Sequence, residues 1–234
     1  MELHHLFSPH KIANVLVKNR IVRSATAENM AEEGHPSDQL IDLYIELAKG
    51  EVGLIITGGI AVDPSSTFSK KGTSLHNDTF LPNHRKLVDS IHGYDTKIVA
   101  QIGHTGRQSS NKRYEAVAPS SILYPQTGRV PRALSTEEIK NNIIPWFVSS
   151  GRRAFESGYD MVQLHAAHGY LLGSFLTPYT NKRTDEYGGS TFNRTKILID
   201  IYQGLQDEVG KEFPIIIKLQ TQDGDLPGGL KLNE

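Results

Sequence analysis

Residues 159–164, Tyr-Asp-Met-Val-Gln-Leu, run into His165-Ala-Ala-His168-Gly-Tyr170, and this junction decides the fold class. An apolar run of strand length that ends on chemistry-bearing side chains is the pattern of a buried parallel strand opening into a βα loop. Runs of the same kind cover residues 20–25, 52–57, 97–102, 160–165 and 214–219. Helical patterns fill the gaps. Residues 39–49 place Leu40, Leu43, Tyr44 and Leu47 on one face, with Ser37 and Asp38 as caps and Gly50 as the stop. Residues 82–92 open on Pro82 and turn Leu87, Val88 and Ile91 inward. Ser135-Thr-Glu-Glu138 is a capping box ahead of Ile139, Ile143, Phe147, Ala154 and Phe155, and Pro145 should kink or split that helix. Residues 193–209 repeat the pattern through Ile197, Leu198, Ile201 and Leu205, closed by Gly210.

Strand alternating with helix, with continuous apolar strands, means a parallel α/β protein. No Gly-x-Gly-x-x-Gly follows the first strand, which argues against a doubly wound nucleotide-binding sheet. A TIM (β/α)8 barrel fits better, because polar groups stand at the C-terminal end of one strand after another. Only the first five βα units are present, whereas a barrel needs eight strands and about 250 residues. Residues 1–234 therefore read as a single barrel domain, incomplete at the C-terminus, with residues 228–234 starting the fifth helix. Residues 114–132, rich in Pro, Ser and Gly, read as a long loop over the catalytic face.

The composition, 38% hydrophobic and 22% charged over 234 residues, allows a buried core. A formal net charge of -1 gives no electrostatic case for nucleic acid or a membrane surface as partner. The most apolar stretch, residues 52–62, is too short for a membrane span and contains three glycines. Met1-Glu-Leu-His-His lacks the order of a secretory signal, so a cytoplasmic location is expected. The absence of cysteine excludes disulfides, thiolate nucleophiles and a cysteine-ligated iron–sulfur cluster.

Two imidazoles and a phenol within six residues suit stabilisation and protonation of an enolate-like species. These residues, with Phe175-Leu-Thr-Pro178, Asn181-Lys-Arg183, Asp185-Glu-Tyr187-Gly-Gly-Ser190 and Asn193-Arg194, are joined by two further stretches. These are Lys18-Asn-Arg-Ile-Val-Arg-Ser-Ala-Thr26 and Gln101-Ile-Gly-His104-Thr-Gly-Arg107. Together they resemble the old yellow enzyme family of FMN-dependent NAD(P)H oxidoreductases and ene-reductases, from Leu6 to about Gly229. The resemblance implies FMN as cofactor, NADH or NADPH as reductant, and a small molecule with an activated C=C bond as substrate.

By the same resemblance, His165 and His168 donate to the substrate oxygen and Tyr170 protonates the α-carbon. Ser24, Ala25 and Thr26 meet the flavin after the first strand. At Gly59 a flat ring can approach the backbone, and Gln101 offers a donor and an acceptor to the pyrimidine edge. Lys218 supplies a cation near flavin N1, where many relatives carry arginine. Its three preceding isoleucines predict that it is flanked by buried neighbours. The family's phosphate-gripping loops belong to strands six to eight, so a homo-oligomer or a complementing C-terminal chain is an expected partner.

Plainer readings stand beside these. The histidine pair could hydrogen-bond backbone at a strand end, or begin a zinc site for which no third ligand is evident. Tyr170 could be a packing residue, Thr26 a cap, Gly59 an ordinary turn and Lys218 half of a structural ion pair. His104 and Arg107 line the pocket or anchor the loop, while Arg183, Asp185, Tyr187 and Arg194 scaffold the His165 region. At the level of the whole chain the alternatives are an inactive or split-barrel fragment and a flavin-free lyase or aldolase. The last lacks a clear Schiff-base lysine or metal set.

Overall fold

Five parallel strands follow one another in chain order across a single curled sheet, and a short sixth, Ile60–Ala61, pairs in parallel with the end of the third. The computed structural model describes residues 4–109, 111–224 and 226–233. Met1, Glu2, Leu3 and Glu234, which belong to stretches read above, lie outside the described residues. The strands are β1 (Val22–Arg23), β2 (Leu54–Ile56), β3 (Lys97–Gly103), β4 (Met161–Ala166) and β5 (Ile215–Leu219). Each pairs in parallel with the next, so the order never reverses. A doubly wound sheet would reverse at a switch point. Sequential winding is the barrel pattern, and the chain is of TIM-barrel type, holding the first five strands and the helices that follow the first four of them.

Helices cover the convex face: α1 (Asp38–Lys49), α2 (Leu81–His92), α3 (Ile144–Glu156), the short α4 (Leu171–Leu176) and α5 (Thr191–Val209). The local chemistry sets their ends. Ser37 Oγ accepts from Leu40 N at the start of α1, and Gly50 ends it. The Ser135–Glu138 capping box forms in both directions. Its helical turn, Thr136–Glu138, passes through a π-helical turn, Ile139–Ile143, before α3 begins. Pro145 sits in the first turn of α3, where it brings no N–H to the i→i−4 ladder. A widened turn at that place is how the helix absorbs the break.

Alternation along the strands builds two cores. Ile55, Ile98, Ala100, Ile102, Val162 and Leu164 point outward to the helices and form the main core with Tyr44, Leu87, Ile91, Phe147 and Ile201. Leu54, Ile56, Val99 and Met161 point into the concave side and form a smaller cluster. An antiparallel hairpin, His10–Ile12 with Val15–Val17, floors that cluster through Val17. Where α3 crosses α5, a Cβ on Gly151 would stand 2.2 Å from Leu205 Cδ2, so the backbones approach closely.

Three expectations are corrected. Ile217 and Leu219 are 43% and 54% exposed, so Lys218 is not flanked by buried neighbours. β5 is the edge of the sheet and carries no described element on its far side; β1 is the other edge and leaves Val22 exposed. Phe155 turns outward and meets Phe213 edge-on at 5.2 Å. Residues 226–233 form turns, and no helix begins there. The apolar face of α1 is also wider than expected, with Ile41 and Ala48 buried and Leu43 and Leu47 only partly so.

Candidate active site

The concave face becomes polar one layer above the apolar cluster. Register places Val99 beside Met161, then Gln101 beside Gln163, and then His165 beside Lys218. All of these occupy inward positions by the period-two rule. Gln101 and Gln163 are buried, and Gln101 Nε2 donates to Gln163 Oε1 at 2.6 Å. A buried amide pair satisfied in this way costs little. Gln163 was not singled out in the sequence; its inward phase between Met161 and His165 is the signal that marks it.

Above this layer lies a cleft of ≈ 250 Å³. Ala25, Thr26, Gly59, Gln101, His165, His168, Tyr170 and Lys218 all line it. Ser24 does not: it is exposed, and its carbonyl accepts from Thr26 Oγ1 at 3.2 Å. Lys218 makes no ion pair with the described residues, which removes the structural-pair reading. His104 is buried elsewhere, its ring 6.1 Å from that of Trp146, and its carbonyl accepts from Leu171 N at 2.9 Å. It anchors the start of α4. Arg107 does not line the cleft either, and its guanidinium lies over the Tyr124 ring at 5.0 Å.

A left-handed corner gathers the three rings. His168 and Gly169 have φ of 59° and 70°, which turns the chain so that His165, His168 and Tyr170 converge. Two amides brace the corner: Gln108 Nε2 donates to the His168 carbonyl at 2.7 Å, and Gly169 N donates to Gln220 Oε1 at 3.2 Å. Ring centroids are 5.2 Å apart for His165–His168, 4.9 Å for His165–Tyr170 and 6.4 Å for His168–Tyr170.

Burial pushes His165 down to about 3, helped by the nearby His168 and Lys218 charges. His168 is lowered by the same burial and by Lys218, and burial raises Tyr170 above the ordinary phenol value. At neutral pH the site therefore holds two neutral imidazoles and a protonated phenol. Ala167 N donates to His165 Nδ1 at 3.4 Å, so Nε2 carries the proton and is the free donor.

Phe68 was not foreseen. Its ring lies nearly parallel to His165 (6.0 Å, 18°) and edge-on to Tyr170 at 5.0 Å. A Cβ on Gly59 or Gly103 would come within 2.7 or 2.8 Å of that ring. The cleft thus receives a flat aromatic ring against two glycines.

Glu28 was also missed. It pairs with Arg23 at 2.7 Å and accepts from Tyr44 Oη at 2.5 Å and from Gly58 N at 3.2 Å. This ties the Ala25–Thr26 loop to the Gly58–Gly59 corner.

The segment after α4 is scaffold, as expected. Asn181 Nδ2 donates to the Phe175 and Tyr187 carbonyls, and buried Arg194 Nε donates to the Leu176 carbonyl at 2.7 Å. Arg183 holds the Pro119 and Leu134 carbonyls and pairs with Asp185. Among the described residues no helix is long and apolar enough to cross a membrane.

Comparison with known proteins agrees with this architecture. An NADH oxidase from Thermoanaerobacter brockii is 37% identical over 98% of this chain, and the chain spans 36% of that relative's length. A solved 2-naphthoyl-CoA reductase in complex with 2-naphthoyl-CoA superposes with a TM-score of 0.93 at 32% identity, covering 98% of this chain and 37% of that one. An old yellow enzyme from Pichia sp. AKU4542 superposes with a TM-score of 0.83 at 27% identity, covering 91% of this chain and 59% of that one. Residues 5–231 match the family model across all five strands, and the chain belongs to the NADH:flavin oxidoreductase / NADH oxidase family.

Proposed function

We propose that this chain carries the reaction site of an FMN-dependent NAD(P)H oxidoreductase that reduces activated C=C bonds, such as those of α,β-unsaturated carbonyl compounds. One observation carries the reading: three neutral proton-handling rings converge over a cleft whose floor combines glycine, a buried amide and a cation with no ion-pair partner among the described residues. The fit to a flavin ring is supported by Phe68, whose flat ring already lies against Gly59 and Gly103. Family membership supports FMN itself. The neighbour that carries 2-naphthoyl-CoA supports a conjugated carbonyl as substrate.

When bound, FMN would supply the hydride chemistry that connects a nicotinamide to the substrate's β-carbon. This chain's residues do the rest. Thr26 and Gln101 would hold the polar edge of the ring, with Ala25 offering backbone groups beside Thr26, while Ser24 stays outside the cleft and accepts from the Thr26 hydroxyl. Lys218 places positive charge at the floor. His165, through Nε2–H, and His168 donate to the substrate oxygen and draw electron density from the double bond. Tyr170 gives its proton to the α-carbon, and a phenol raised above its ordinary value stays protonated for that task.

The test is anaerobic incubation with FMN, NADPH and 2-cyclohexen-1-one. Saturated ketone should form with the native chain and be lost with Tyr170→Phe. No product from a flavin-loaded chain would contradict the reading.

A second reading is favoured by the uncovered β5 edge, where Ile217 and Leu219 face outward. A second copy or a complementing chain would then have to cover that edge before the cleft binds FMN. Flavin retention by the isolated chain at low concentration would dismiss it.

A further inference from the structure

A second cavity, of ≈ 650 Å³, lies on the other side of the segment that carries Phe68. Ser69 and Gly72 line both this cavity and the cleft, so the strap between them is the common wall. Phe68 faces the cleft, while Thr67 and Lys70 face the second cavity.

Its rim is basic. Lys70, Lys112 and Arg113 line it, and none makes an ion pair with the described residues. Glu33 is the single carboxylate of the lining. Its wall is aromatic: Phe80 is buried, and the His76 and Phe80 ring centroids are 4.8 Å apart. His76 Nδ1 is buried without a hydrogen-bond partner. Burial lowers His76, so the ring is neutral and can donate or accept at neutral pH. An apolar wall with one unsatisfied polar atom, ringed by three cations that have no ion-pair partner among the described residues, matches a planar heterocycle that carries phosphate.

We propose that this cavity binds the adenosine phosphate end of a molecule whose reactive end enters the cleft. The inference rests on the function proposed above and adds what determines its ligands. The ring of the base packs on Phe80 and His76, and the phosphates meet Lys70, Lys112 and Arg113. Two small molecules share this chemistry: NADPH as reductant, and a coenzyme A thioester as substrate. A single molecule straddling residues 69–72 would also fix the position of Phe68.

Calorimetric titration of the full chain, without flavin, tests this independently of the redox reading. The probes are adenosine 2′,5′-bisphosphate, adenosine 3′,5′-bisphosphate and inorganic phosphate. Saturable binding of at least one bisphosphate is expected, weakened roughly tenfold by Lys112→Ala/Arg113→Ala and again by Lys70→Ala. Preference for the 2′,5′ probe identifies the reductant tail, and preference for the 3′,5′ probe identifies the substrate carrier. Equal binding of both shows that the pocket reads what they share. The proposal is overturned if neither bisphosphate binds, if inorganic phosphate binds as tightly, or if the variants bind unchanged. Failure of ketone formation in the earlier assay, with bisphosphate binding intact, would fault the catalytic reading alone.

Discussion

Tyr170 and the two imidazoles divide the proposed work by protonation state. Because His165 is pushed down to about 3, and burial and Lys218 hold His168 below the ordinary imidazole value, both rings are neutral from neutral pH upward in the folded protein. The oxygen-holding donors are then N–H groups of neutral rings, and Tyr170 remains the acid across the same range. The rate of substrate reduction should accordingly be flat from about pH 7 to 9, as measured in single turnovers. A bell centred near pH 6.5 would assign an imidazolium to the reaction. Tyr170→Phe should slow substrate reduction by about 10²–10⁴-fold and leave flavin reduction by NADPH nearly unchanged, because the phenol serves only the second step. Stopped-flow traces of the two half-reactions separate these, and equal loss in both would argue against the assignment. Phe68→Ala should quicken FMN association, since its ring occupies the glycine-walled space.

At the scale of elements, the loop after β1 and the turn after α4 hold the site in shape. Glu28 and Arg23 are both shielded, so Glu28→Gln leaves a half-buried guanidinium uncompensated and should cost about 3 kcal/mol in denaturant unfolding. Arg23→Met/Glu28→Leu should cost less than the single change, because no lone charge remains. The opposite order would mean that the pair does not brace the loop. A Cβ on Gly188 would fall 2.3 Å from the Arg183 carbonyl oxygen, which is backbone and cannot swing away. Gly188→Ala should therefore destabilise by about 1–3 kcal/mol and loosen the Asn181–Arg183 hydrogen bonds, visible as faster amide exchange there.

Elements were the part of this protein most legible in its sequence. Helix ends followed from Ser37, Gly50, the Ser135 box and Gly210, because capping depends on neighbours in the chain. His165, Gln101 and Lys218 were readable because strand phase puts them on the inward face. Glu28 was not, because its partners Tyr44 and Gly58 are 16 and 30 residues away. Phe68 lies in a loop, where no period marks which way a side chain points. The exposure of Ile217 and Leu219 is a property of where the sheet ends, and an apolar run reads the same at an edge as in the middle.

For the whole molecule, burial sets an acid limit. His84, His104 and His165 are lowered to about 3, about 4 and about 3, and each is desolvated in the fold. An imidazole with a depressed folded value binds its proton more readily once unfolded. These three groups therefore contribute stability that is full above the unfolded value of 6.5 and declines as pH falls toward about 4. Unfolding in that window should take up as many as three protons, measurable as the slope of unfolding free energy against pH. A slope near zero would mean that these rings are solvated.

The claim on which everything else rests is that the concave mouth holds a flat cofactor beneath His165, His168 and Tyr170. Titrating the purified chain with FMN and following flavin fluorescence tests it directly, with Gly59→Trp as the variant that fills the mouth. Saturable quenching at one FMN per chain, abolished in Gly59→Trp, is the expected result. Unquenched flavin, or equal quenching in the filled variant, would contradict it.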